Sequence, residues 1–492
     1  MKSLRTWMTA ASALALTAGM ALAQDSITIA MQLEPPNLDP TGGAAEAIDS
    51  VVYLNIFQGL TRFTSDGSVV PNLAESWEIS EDGLTYTFKL HDGVTFHDGT
   101  TLDAEDVKFT LDRARAEDST NAQKGLFAQI ADVAVIDPLT VQVTLSQPNG
   151  AFLFNMAWGD AVIVAPESAA TNATNPVGTG PYRFGQWVQG DRIELVRSDT
   201  YWGETPALAS ATIRFISDPS AAFAAVMAGD VDVFSGYPAP ENLAQFAADP
   251  RFQVITGSTE GETILAMNNK AAPFDNPLVR QAVAHAIDRQ AIIDGAMFGY
   301  GTPIGTHFAP HNPAYVDLTG QSAYDPDRAR ELLAEAGLPD GFTTTLKLPP
   351  PSYARRGGEI IAAQLREVGI ETEITNVEWA QWLEEVFTAK NYGLTIVSHT
   401  EPMDIGIYGN PDYYFQYDSA DFRQIMAALT ATTDPDGRTA LMQAAQTKIA
   451  DDFVNAYLFQ LAALTVAKAE VQGLWPNAPV AAMDLAGLSW AQ

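Results

Sequence analysis

The chain of 492 residues contains no cysteine. Disulfides, thiolate metal sites and cysteine nucleophiles are therefore excluded, and stability has to come from core burial. A cysteine just after an N-terminal leader would mark a lipid anchor, and its absence favours a freely diffusing exported protein. Basic residues are also scarce: 27 Lys and Arg stand against 60 Asp and Glu, for a net charge of -33. That balance excludes nucleic acid as a partner, because phosphates reward clustered Lys and Arg. A negative field mildly favours cationic or zwitterionic ligands, although solubility explains it as well. Beyond the first residues no apolar run reaches the length of a membrane span, so no membrane insertion is expected. G-x-S-x-G, P-loop, H-E-x-x-H and helix-opening G-x-G-x-x-G motifs are missing too. Gly178-Thr179-Gly180 is followed by Pro181, which suits a tight turn better than a phosphate cradle. Paired carboxylates could serve a glycosidase, but among 60 acidic residues such pairs carry little information. Without a nucleophile or a metal motif, no catalytic residue is assigned and a secreted hydrolase is the weaker reading.

What is present begins with a leader. Lys2 and Arg5 precede the Ala/Leu/Thr-rich stretch Trp7 to Met20, and Ala21-Leu22-Ala23 offers a small-x-small cleavage site. Its removal would leave the mature chain two charges more negative still. Thr85 to Leu90 and Thr140 to Leu145 alternate apolar with polar residues, and Arg192 to Val196 continues the pattern, so the first half contains strands. Asp-Gly turn signals at Asp82-Gly83, Asp92-Gly93 and Asp98-Gly99 separate them. Asp325-Pro326 reads as an N-cap and first helical position, with a stripe at Ala329, Leu332, Leu333 and Ala336 that stops at Gly337. Val279, Val283 and Ile287 form another stripe, and Glu359 to Val368 a third helix before a strand at Ile370 to Val377. Strands alternating with helices predict a mixed α/β architecture of about three domains or subdomains. Two apolar strands, Thr263 to Met267 and Tyr457 to Ala467, lie where the chain would cross into and out of an inserted lobe.

Of the six histidines, His307 and His311 have the i, i+4 spacing of a metal pair, but Gly305 and Pro310 argue against a helix there, and no metal site is assigned. His285 reads as a satisfied helical histidine, and His91 and His97 as partners of Asp-Gly turns. The segment 398 to 415, SHTEPMDIGIYGNPDYYF, holds a histidine, several carboxylates and four aromatics in a stretch that cannot be one regular helix.

Several motifs resemble the extracellular solute-binding proteins of ABC importers, in the peptide, oligopeptide and nickel-binding family. They are Leu73 to Gly99 (LAESWEISEDGLTYTFKLHDGVTFHDG) with Ala104 to Phe109; Val177 to Tyr182 with Tyr201-Trp202-Gly203; Pro273 to Ala282 with Ala286 to Arg289; and Tyr324-Asp325-Pro326 with Leu332 to Gly337. In family order they span nearly the whole mature chain. The resemblance implies two α/β lobes joined by two strands and closing on a ligand, with an extra subdomain on the first lobe (type II, cluster C-like). It places the leader at 1–23, the first lobe at 24–262 with the extra subdomain at about 50–170, the second lobe at 263–465, and a return to the first lobe at 466–492. It implies a monomeric periplasmic protein that captures a small-molecule or peptide ligand, delivers it to ABC transporter permease subunits, breaks no bond and uses no cofactor.

The resemblance also bears on the ligand. Dipeptide-binding members hold the ligand carboxylate with an arginine upstream of an Arg-Arg helix start. Aligned on Arg355-Arg356, that position falls in Leu348-Pro349-Pro350, so the basic anchor is missing, and Arg355 and Arg356 read as surface residues rather than substitutes. The same members place an aspartate on the ligand amine, and counting from Glu378-Trp379 brings that position to Glu401, or with a small gap to Asp404. Gln32 and Glu34 lie where the first lobe reaches the cleft. Tyr408, Asn410, Tyr413 and Tyr414 are candidate cleft walls, with lobe packing an equal alternative for the tyrosines. His399 is expected to shape the pocket. The expected ligand is peptide-like or amine-bearing; an oligosaccharide, an opine-like conjugate or a metal complex is the alternative.

Overall fold

Two strands are longer than either half of the molecule needs, and they organise everything else. The first runs Phe252–Met267 and the second Asn455–Lys468. In this computed structural model, which describes residues 24–42, 45–401 and 403–491, they pair antiparallel along most of their length. The leader expected at 1–23 lies outside the described residues. On one side the pair continues through Val233–Ser235, Ser26–Met31, Ser210–Phe215, Arg192–Arg197 and Tyr182–Val188; on the other through Leu394–His399, Phe342–Leu348 and Ile370–Asn376.

Each side builds its own core. Ile27, Val51, Phe57, Tyr182 and Ile213 are buried together in the first, and Leu265, Val283, Leu332, Ile361 and Leu394 in the second. A four-stranded antiparallel sheet in the order Ala74–Ile79, Thr85–Leu90, Thr140–Leu145, Ile130–Asp137 forms a third unit. Its inward residues Tyr86, Phe88, Val141 and Val143 pack under the helix Ala104–Arg115, against Val107 and Leu111. Each such side chain, fully buried, contributes on the order of 2 kcal/mol. Asp103 caps the helix and Asp106 returns the bond to the Asp103 N–H, closing a capping box. Gly83 and Gly93 sit at φ 69° and 77°, the left-handed region their turns require.

Several elements differ from expectation in informative ways. The helix expected through Ile287 ends at His285, because Asp288 accepts from Ala291 N and caps a separate helix, Arg289–Met297. The helix expected from Glu359 begins at Ser352. Gly357 and Gly358, which look like helix breakers, lie inside it; a Cβ on Gly358 would stand 2.4 Å from Leu348 Cδ1. The stretch Gly257 to Gly261, which reads in the sequence as a small, polar boundary, lies inside the first long strand, marked by a register shift between Ser258 and Glu262.

Candidate ligand-binding site

The long strands form the floor of a cleft of about 900 Å³. Gln32, Glu46, Asp49 and Asp160 reach it from the first side, Thr400 and Glu401 from the second, and Thr259 to Gly261 with Leu461 to Thr465 from the crossing strands. Six carboxylates line the cleft: Glu46, Asp49, Asp160, Glu260, Glu401 and Asp484. Among the described residues no Lys, Arg or His lines it.

The acidic side chains feel one another and the loss of water. Desolvation, then the Glu401 carboxylate, pushes Glu46 above the ordinary carboxylate range, so the two sides of the cleft are electrostatically coupled. Burial, reinforced by Asp160 and Glu46, raises Asp49 well above its usual value, and burial alone pushes Asp160 up to about 7. Asp49 Oδ1, Asp160 Oδ1 and the Trp158 Nε1–H are buried without a hydrogen-bond partner among the described residues. Buried polar atoms normally find partners.

The residues singled out from sequence are spread over three environments. Glu401 lines the cleft and, among the described residues, accepts only from Thr400 N, at 3.2 Å. Gln32 also lines it, donating to Gly236 O at 2.6 Å. Glu34 instead accepts from Trp187 Nε1 and Gly190 N at 2.8 and 2.9 Å, tying down the edge hairpin of the first lobe. Tyr408 and Tyr414 are fully buried in an aromatic core with Trp382, Phe415 and Tyr457. Tyr413 packs on Phe387 at its margin, and Asn410 is exposed and accepts from Asp412 N in its own turn. Arg355 bonds Val377 O and Glu378, and Arg356 lies over Phe298, so neither arginine enters the cleft.

Asp404 and His399 belong to a cluster behind the cleft. Glu262 and His399 are cross-strand partners, and His307 Nε2 meets both Asp404 Oδ1 and, at 3.0 Å, Glu262 Oε1. Burial pushes Asp404 up, but His307 and His399 outweigh it and hold the carboxyl below the usual range. Glu262, buried beside Asp404 and Glu260, is raised well above it. Next door, His311 bridges Ser258 Oγ and Glu260 Oε1, both at 2.6 Å. Sequence reasoning missed Glu46, Asp49, Asp160, Glu260 and Glu262. The last two had a signal: Thr259-Glu260-Gly261-Glu262 places two carboxylates in a stretch otherwise destined for a sheet interior.

Comparison with known proteins decides the family. Residues 68–421 match the family described as bacterial extracellular solute-binding proteins, family 5. The chain belongs to that family. The glutathione-binding protein GsiB of Salmonella paratyphi A is 35% identical over 388 residues, covering 77% of this chain and 75% of GsiB. GsiB of Pectobacterium atrosepticum is 36% identical over 390 residues, 78% and 75% of the two chains. The structure of HbpA2 from Haemophilus parasuis superposes with a TM-score of 0.87 at 24% identity, over 95% of this chain and all of that one. The PBP AgaA from A. tumefaciens in complex with agropinic acid gives 0.75 at 26% identity, over 95% and 99%. The chain is thus a solute-binding protein that works with an ABC transporter and takes a small-molecule or peptide ligand, on the two-lobed α/β fold with an extra subdomain.

Proposed function

We propose that this solute-binding protein captures a peptide-like or amine-bearing solute in the periplasm, as a freely diffusing monomer, and presents it to membrane permease subunits without chemical change. The observation that carries the reading is the cleft itself: six carboxylates and, among the described residues, no basic side chain. A ligand held mainly by its carboxylate would have to bury an anion among anions, at a cost of several kcal/mol. Glutathione, which the GsiB relatives are named for, has two carboxylates and one amine, and fits this lining poorly. A free amine facing Glu401, with the coupled Glu46 opposite, gains a charge-assisted hydrogen bond in a water-poor gap. Glu401 is the preferred anchor because Asp404, the other candidate, is already engaged by His307 and His399.

The experiment is native mass spectrometry of the protein purified from its own host, followed by release of whatever it carries. A ligand bearing at least one amine or guanidinium supports the reading. A polyanionic ligand, or one converted on incubation with the protein, would overturn it.

A further inference from the structure

The cluster behind the cleft has the composition of a metal centre. Glu262, His399 and Asp404 each present a donor atom, all within 4.8 Å of one another. His307 Nε2 joins them, in contact with Asp404 Oδ1 and 3.0 Å from Glu262 Oε1. A divalent ion with bonds of about 2.0–2.2 Å spaces its ligands by roughly 3–4 Å, so the Glu262, His399 and Asp404 donors, within 4.8 Å of one another, need only a modest shift, with His307 adjoining as the fourth. The ring nitrogens facing away from the cluster are both held by tyrosines: His307 Nδ1 by Tyr408 OH at 3.3 Å, and His399 Nε2 by Tyr414 OH at 3.1 Å. Outer hydrogen bonds of that kind orient the imidazoles of metal sites.

Two further observations point to an absent cation. The Glu262 side chain is 2% exposed, and its Oε1, although 3.0 Å from His307 Nε2, makes no well-aligned hydrogen bond among the described residues. Two carboxylates drawn into one cluster also carry negative charge that a divalent ion balances. Asp404, 16% exposed, gives the otherwise enclosed group its opening. We propose that Glu262, His307, His399 and Asp404 bind one divalent transition-metal ion of the zinc or nickel type, resident in the second lobe and separate from the solute cleft. Two imidazoles and two carboxylates suit such borderline ions better than Ca²⁺ or Mg²⁺, which prefer all-oxygen shells.

The test uses the full chain without a histidine tag. After dialysis against EDTA and then metal-free buffer, ZnCl2, NiCl2 and MgCl2 are titrated at pH 7.5 by calorimetry, with bound metal counted by plasma mass spectrometry and melting followed in parallel. Expected are one zinc or nickel per chain, a rise in melting temperature of several degrees, and little response to magnesium. His399→Gln and, separately, Asp404→Asn should each weaken binding at least tenfold, whereas Glu401→Gln in the cleft should leave it intact. Circular dichroism checks that the variants fold. Full stoichiometry retained in both folded cluster variants, or no binding of either metal by the wild-type chain, would overturn the proposal; His307 would then serve simply as a bridge between Glu262 and Asp404.

Discussion

Glu401 is the side chain on which ligand recognition is expected to turn. It is exposed, lines the cleft and, among the described residues, accepts a hydrogen bond only from the Thr400 backbone N–H. A hydrogen bond to a charged group is worth about 1.5–3 kcal/mol, so Glu401→Gln should weaken an amine-bearing ligand roughly 10- to 100-fold, while the melting temperature of the ligand-free protein stays the same. Calorimetry and a thermal melt on the same preparation measure both. Asp160 makes a pH-dependent contribution. Its carboxyl is pushed up to about 7 in the folded chain, from an ordinary value near 3.8. Between those values the folded protein holds a proton that the unfolded chain has released, so this group's contribution to stability declines as pH rises from about 4 to 7 and is level above that. A cation prefers the ionised form. Affinity for a permanently charged amine should therefore rise from pH 6 to 8, by up to about tenfold per unit below 7, and Asp160→Asn should flatten the profile.

The crossing strands show which parts of the fold could be read from residues and which could not. The Asp-Gly turns, the Asp325-Pro326 helix start and the alternating strands of the third unit depend on local propensity, and they lie where the sequence pattern places them. The Gly257 to Gly261 stretch resembles a linker because small residues usually mark loops. Here they are small for packing: a Cβ on Gly257 would stand 1.7 Å from Pro476 O, on a segment more than 200 residues away in the chain. Gly257→Ala should accordingly destabilise the protein by about 2 kcal/mol or more and lower the melting temperature by several degrees, since the obstacle is backbone. The place of Glu401 on the cleft lining was legible because a family motif leads up to it. Glu46, Asp49 and Asp160 were not, because only tertiary structure separates three cleft acids from the other acidic residues of the chain. Tyr408 and Tyr414 show the reverse case: aromatic residues expected as cleft walls that are spent on the core.

For the whole molecule, the cleft lies between two separately packed cores joined mainly by the paired strands Phe252–Met267 and Asn455–Lys468. Such a connection permits rigid-body closure about a few residues, and the register shift between Ser258 and Glu262 is a natural place for it. Saturation with ligand should reduce the radius of gyration seen by small-angle X-ray scattering. It should also stabilise the fold by about 2.7 kcal/mol at a hundredfold excess over Kd. Closure would bring Glu401 nearer Glu46, which is tolerable only with a cation between them. The charge of the ligand is thus the central claim, and calorimetric titration of matched pairs tests it most directly: amine-bearing oligopeptides and diamines against their N-acetylated counterparts at pH 7.5. The prediction is that members with a free amine bind and that acetylation abolishes binding or weakens it at least tenfold. Equal binding of acetylated and free forms, or tight binding of glutathione with none of the amines, would contradict it.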